Sequence, residues 1–95
     1  MRIPIFKNLT FRKTYRKSKT IYVETIEEDD ELVIVGLVPA MNPNELEVKT
    51  GWNCLLISTS SGSRKLVPVK GVDLSKKPKI MFKNGIVEIR FKKLN

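Results

Sequence analysis

The dipeptide Asn84-Gly85, set between two alternating stretches, restricts the fold of this chain more than any other feature. Asn-Gly is the pair best able to take φ > 0 at both central positions of a type I′ turn, whose twist closes two strands into a hairpin. In the first arm Ile80 and Phe82 share one face, with Lys79 and Lys83 on the other. In the second, Val87, Ile89 and Phe91 share a face, with Glu88, Arg90 and Lys92 opposite. Period-two alternation on both sides of the turn predicts antiparallel strands over residues 79–83 and 86–92. A hairpin alone is marginal in water, so the remaining chain must supply strands for it to join.

The preceding residues supply them. Residues 20–26 are rich in β-branched and aromatic side chains and read as a strand. Residues 27–30 form an acidic turn. Residues 31–38 are apolar on both faces; four valine or isoleucine residues, Gly36 and the following Pro39 argue against a helix there. A loop over 39–44 leads to a short alternating strand at 45–49 with Leu46 and Val48 on one face. After a turn at 50–53, residues 54–59 place Leu55 and Ile57 on one face, Cys54 and Leu56 on the other. Ser60-Ser61-Gly62-Ser63 is a tight turn into a strand at 64–69, where Pro68 points to an edge position or a strand end. Residues 70–78 read as a loop. Seven short strands at this spacing, with no helix longer than a turn, predict an all-β fold: an immunoglobulin-like, two-sheet antiparallel β-sandwich.

Length and charge narrow the function. Ninety-five residues make one small domain. No apolar run approaches the ~20 residues that a bilayer requires, and the N-terminus lacks a signal-peptide core, so a cytoplasmic location is expected. The net charge of +8 is uneven. Residues 1–20 form a basic arm holding Arg2, Lys7, Arg12, Lys13, Arg16, Lys17 and Lys19 with no acid, ahead of a sandwich domain over residues 21–95. Residues 24–31 hold six acids and no base. The chain has no histidine, which rules out His-based acid–base and Ser-His-Asp chemistry. Its one cysteine, Cys54, sits in an apolar strand and is expected to be a buried, inert thiol. Glu27, Glu28, Asp29 and Asp30 lack the glycine and spacing of a calcium loop and read as a solvated turn. No enzyme activity, metal or cofactor is expected.

The order of strands and loops, together with particular side chains, resembles the α-crystallin domain of small heat-shock (Hsp20) proteins, from about Ile21 to Lys93. That family has an apolar strand ending in a proline–glycine loop, matched by Leu32 to Val38 and then Pro39-Ala40. Its short alternating strand is matched by Leu46-Glu47-Val48, its leucine–x–isoleucine strand by Leu55-Leu56-Ile57, and its arginine-bearing strand running into a proline by Arg64 to Pro68. The family's closing signature, an alanine ahead of Asn/Asp-Gly-Val-Leu, is matched by Ile80 and then Asn84-Gly85-Ile86-Val87. Four features depart from the pattern: alanine replaces the loop glycine, Ile80 replaces the signature alanine, the long dimer-swapping loop is reduced to Ser60-Ser61-Gly62-Ser63, and no isoleucine–x–isoleucine tail follows the hairpin. The last two also suit the related CS-type co-chaperone domains and the crystallin-like domains attached to some ATPases.

The resemblance implies an ATP-independent chaperone that binds partly unfolded proteins through strand edges and an apolar groove, here lined by Leu46, Val48, Ile80 and Phe82. The family fills that groove with an isoleucine–x–isoleucine peptide. The matching tripeptide in this chain is Ile3-Pro4-Ile5 in the arm, in which Ile3 and Ile5 would project to one side of an extended segment and Pro4 pre-sets φ. A homo-oligomer is compatible with such docking. Two rival readings differ in kind. One is a crystallin- or CS-like adaptor that docks a specific partner, such as an ATPase or another chaperone, without general holdase activity. The other is a nucleic-acid binder using the basic arm with Phe6, Phe11 and Tyr15; it lacks a recognition helix or stacking motif and is not the expected partner. The outer side of residues 32–38 must be covered, since a two-sheet sandwich buries only its inner faces. The arm, another subunit or a client would serve. Trp52 is either an exposed anchor or packed at a rim.

Overall fold

The computed structural model describes residues 20 to 94. They form seven strands: β1 (Tyr22–Glu27), β2 (Glu31–Leu37), β3 (Leu46–Gly51), β4 (Cys54–Thr59), β5 (Arg64–Pro68), β6 (Lys79–Lys83) and β7 (Ile86–Lys92). One sheet has the order β1-β2-β7-β6 and the other β3-β4-β5, with every pairing antiparallel. The fold is the all-β sandwich expected. No helix among the described residues is long and apolar enough to cross a membrane.

Alternation decides which residues meet between the sheets. Register sets Val23, Gly36, Val87 and Phe82 in one row across the four-stranded sheet, and Thr25, Ile34, Ile89 and Ile80 in the next. Leu32 and Phe91 continue the same inner face. Leu55, Ile57 and Val67 face them from the other sheet, and all these except Val23, Gly36, Thr25, Phe82 and Ile80 belong to the buried core cluster. Burying each large aliphatic or aromatic side chain contributes on the order of 1.5–3 kcal/mol. The inner face has little room at Gly36: a Cβ there would stand 3.0 Å from Val87 Cγ1 on the neighbouring strand and 3.7 Å from Ile57 Cδ1 on the facing sheet.

The hairpin forms as the sequence predicts. Asn84 and Gly85 have φ of 50° and 81°, the left-handed pair that a type I′ turn needs. The turn is also tied to the rest of the molecule, because the Val38 amide donates to the Gly85 carbonyl at 2.8 Å. β5 is an edge strand, as Pro68 requires.

Boundaries shift where side chains intervene. Residues Pro43–Glu45 make a 3-10 turn, and Glu45 Oε1 accepts the Met41 amide at 3.0 Å, so β3 starts one residue later than alternation indicates and runs on to Gly51. Residues 70–78 are a loop, but not a loose one. Val72 bridges to Lys93, Asp73 N–H donates to the Lys92 carbonyl at 2.8 Å, and Leu94 N–H donates to Gly71 at 2.9 Å.

Candidate binding groove

A cleft between the sheets is lined by Thr25, Glu27 and Leu32 from β1 and β2, and by Pro68 and Lys70 at the end of β5. β5 therefore lies along the β1 side of the sandwich, which leaves β3 and β6, the other two edge strands, together on the opposite side. Leu46 and Val48 point inward from β3. Phe82 and Ile80 point inward from β6, opposite Val87 and Ile89. Leu46, Val48 and Phe82 are half-buried and pack against the core. Ile80 is 46 % exposed although it faces inward, because it lies at the open rim. The four residues singled out in the sequence thus come to one side of the molecule, between two strands whose outer edges carry no neighbour among the described residues. The Ile3-Pro4-Ile5 tripeptide lies outside the described residues.

Open edges also present unpaired backbone donors and acceptors. The larger apolar side chains around them are exposed as well: Leu66 on β5, Met81 on β6, and Trp52 at the tip of the β3–β4 turn, where 87 % of it meets solvent. Trp52 is therefore the exposed alternative of the two considered.

Two expectations need correction. Cys54 is half-buried on the outer face of the three-stranded sheet, opposite Gly51 and Pro68, rather than enclosed. The cause is the alternation itself: Leu55 and Ile57 take the inner face, so Cys54 takes the outer one. The acidic turn is also not simply solvated. Glu28 Oε1 lies 3.1 Å from Arg90 Nη1, and Glu27 pairs with Lys93 at 3.3 Å.

Arg90 is the centre of the charged cluster that sequence reasoning missed. Its Nε donates to Glu88 at 2.8 Å and its Nη1 to Glu31 at 3.0 Å as well as to Glu28. Glu88 is 1 % and Arg90 8 % exposed. Burial alone would lower the guanidinium's pKa; hydrogen bonds to Glu88, Glu31 and Glu28 outweigh it and hold the pKa above its ordinary value. No buried polar side-chain atom among the described residues lacks a partner. The one available signal was register: Glu31 at the end of the acidic turn begins the strand that pairs with β7. No group of His, Cys, Asp or Glu among the described residues is arranged to hold a metal ion.

No family model matches the chain, and no curated protein sequence matches it. Solved structures do. The fold is that of the α-crystallin domain. Heat shock protein 16.0 from Schizosaccharomyces pombe superposes with a TM-score of 0.70 at 13 % identity, over 80 % of this chain and 68 % of that one. HSP18.5 from E. histolytica gives 0.70 at 16 % identity, over 80 % and 89 %. A point mutant of hsp14.1 from Sulfolobus solfataricus gives 0.67 at 18 % identity, over 94 % and 83 %. At these identities the likeness is one of fold, and it agrees with the collinear motifs that carry the resemblance in sequence.

Proposed function

We propose that this α-crystallin-type domain is an ATP-independent chaperone that captures partly unfolded proteins in the groove between β3 and β6. The observation carrying this reading is the pair of adjacent open edges, with Leu46, Val48 and Phe82 half-buried behind an exposed Ile80. Partly unfolded chains expose apolar side chains and unpaired strand edges, the two features that such a rim complements. The similarity to heat shock proteins supports the same conclusion. Within this reading, Ile3-Pro4-Ile5 docks as an added strand, from the same chain or a neighbour, and competes with clients.

The decisive measurement is suppression of heat aggregation of an unrelated enzyme without ATP, alongside the mass by light scattering. The chain should suppress aggregation. Ile80→Glu should need several-fold more protein for the same effect while leaving the fold intact, because Ile80 is already half-exposed. The second reading, an adaptor for one defined partner, is favoured by the tight connection from β4 to β5. Thr59 N–H donates to the Ser63 carbonyl at 2.9 Å, so among the described residues no long loop there offers a strand to exchange. It requires a monomer or small dimer without suppression, and that outcome would overturn the chaperone reading.

A further inference from the structure

The two faces of β6 differ in what they offer a strand laid along its open edge. Ile80 and Phe82 point into the groove, whereas Lys79, Met81 and Lys83 point to the outer face of the sheet. The hairpin geometry also says which backbone groups are free to pair. In a two-residue type I′ hairpin the residues flanking the turn, here Lys83 and Ile86, exchange hydrogen bonds, and the exchange repeats at every second pair. The N–H and C=O groups of Lys79, Met81 and Lys83 therefore point to β7, and those of Ile80 and Phe82 point out of the sheet. No other strand among the described residues pairs with them. An added strand would bond to Ile80 and Phe82, and its side chains opposite these two would enter the groove. Its alternate side chains would stand beside Lys79, Met81 and Lys83, in the pairs whose Cα atoms are only about 4.5 Å apart.

We propose that this edge selects extended protein segments in which two apolar residues are flanked by acids, in the order acid, apolar, any, apolar, acid. The inference rests on capture at the β3–β6 groove and adds the chemistry of what is captured. Charge is the first observation that selects this occupant. Lys79 and Lys83 are exposed and make no ion pair among the described residues, whereas Lys49 and Lys93 do. Lys76, Lys77 and Lys92 add to the field at the Lys79 end, where they line a cleft of about 540 Å³ with Lys79 and Met81. Asp30, Glu31 and Glu88 line the same cleft, but Glu31 and Glu88 are held by Arg90 on strands behind the edge.

The second observation is that β6 has no other protection. It pairs with β7 in unbroken register and contains neither proline nor bulge, whereas the β5 edge ends in Pro68. Edge lysines discourage pairing with most strands and favour one whose facing residues are acids. They also disfavour a second copy of the chain, since antiparallel pairing of β6 with its twin about Met81 would set Lys79 against Lys83. The third observation is the apolar row itself: Ile80 is 46 % exposed beside the half-buried Phe82, so an apolar side chain entering the groove finds a partner.

The test is a titration of the full chain with two capped pentapeptides. One is glutamate, valine, threonine, valine and glutamate in that order; the other has lysine in place of both glutamates. Backbone amide and Ile80 methyl NMR signals report the site. At low ionic strength the acidic peptide should bind several-fold more tightly, shift Ile80 and Phe82, and slow exchange of their two amides. Added salt should narrow the difference. Lys79→Glu combined with Lys83→Glu should reverse the preference, and both side chains are exposed, so the fold should persist. Equal affinity of the two peptides at Ile80 and Phe82 would overturn the selection and leave groove capture standing. No shift there with either peptide would overturn both. Shifts confined to Lys76, Lys77 and Lys92 would mean that the cleft attracts charge without strand addition. Amide protection at Ile80 and Phe82 that grows with protein concentration alone would mean that a second copy takes the edge. Each of these last two outcomes also overturns the proposal.

Discussion

Arg90 gathers three carboxylates from three places in the chain: Glu88 two residues before it, Glu31 at the start of β2 and Glu28 in the turn before that. Hydrogen bonds to these carboxylates outweigh its burial and hold its pKa above the ordinary guanidinium value. Its contribution is present below the ordinary guanidinium pKa and is lost only as pH rises through the still higher folded value. Arg90→Ala would leave Glu88, 1 % exposed, without its guanidinium, so a loss of about 3–5 kcal/mol is expected. Urea unfolding measures it as a lower midpoint at an unchanged slope. Arg90→Lys should recover only part, because an ammonium group cannot fork between Glu88 and the other two acids as the guanidinium does. Alternation assigned Glu88 and Arg90 to the face opposite Ile89 correctly. It did not show that the face is buried, because a two-residue period says which way a side chain points and nothing about what lies over it.

At the scale of elements, β7 is where burial concentrates. It pairs with β2 on one side and β6 on the other, and five of its seven residues are buried, including members of both faces. The turn that feeds it is constrained twice. Gly85 has φ of 81°, and a Cβ there would stand 3.2 Å from the Val38 carbonyl oxygen. Gly85→Ala should therefore cost about 1–2 kcal/mol for the left-handed backbone alone. It should also loosen the Val38–Gly85 hydrogen bond, which hydrogen exchange at the Val38 amide would report as faster exchange. The hairpin was legible in the sequence because its determinants are local: a turn dipeptide and two alternating arms. The later start of β3 was not, because it depends on Glu45 reaching back to the Met41 amide.

Across the whole molecule, strand order determines what the surface can bind. With β2, β4 and β7 internal, the remaining strands are edges, and β3 and β6, which share one side of the sandwich, bring Leu46 and Val48 to the same side as Ile80 and Phe82. If Ile3-Pro4-Ile5 competes for that rim, replacing Ile3 and Ile5 together by glutamate should lower the oligomer mass in light scattering or raise the amount of client held. No change in either would dismiss the docking. Ile80, standing where α-crystallin domains have alanine, sits at the mouth of the groove rather than in its floor, so it bears on entry more than on the stability of the core.

The sequence by itself determined the strands, the type I′ turn and the split of each strand into an inner and an outer face, since each follows from neighbours a few residues apart. Even the four rim residues could be named from a collinear resemblance. Only the tertiary structure decided that Trp52 stands free in solvent and that Glu28, Glu31, Glu88 and Arg90 meet. The charged cluster joins residues up to 62 positions apart, brought together by register and sheet packing. The hairpin around Asn84-Gly85 belongs to both: local chemistry makes it, and the two sheets give its first arm an open edge and its second the centre of the larger sheet.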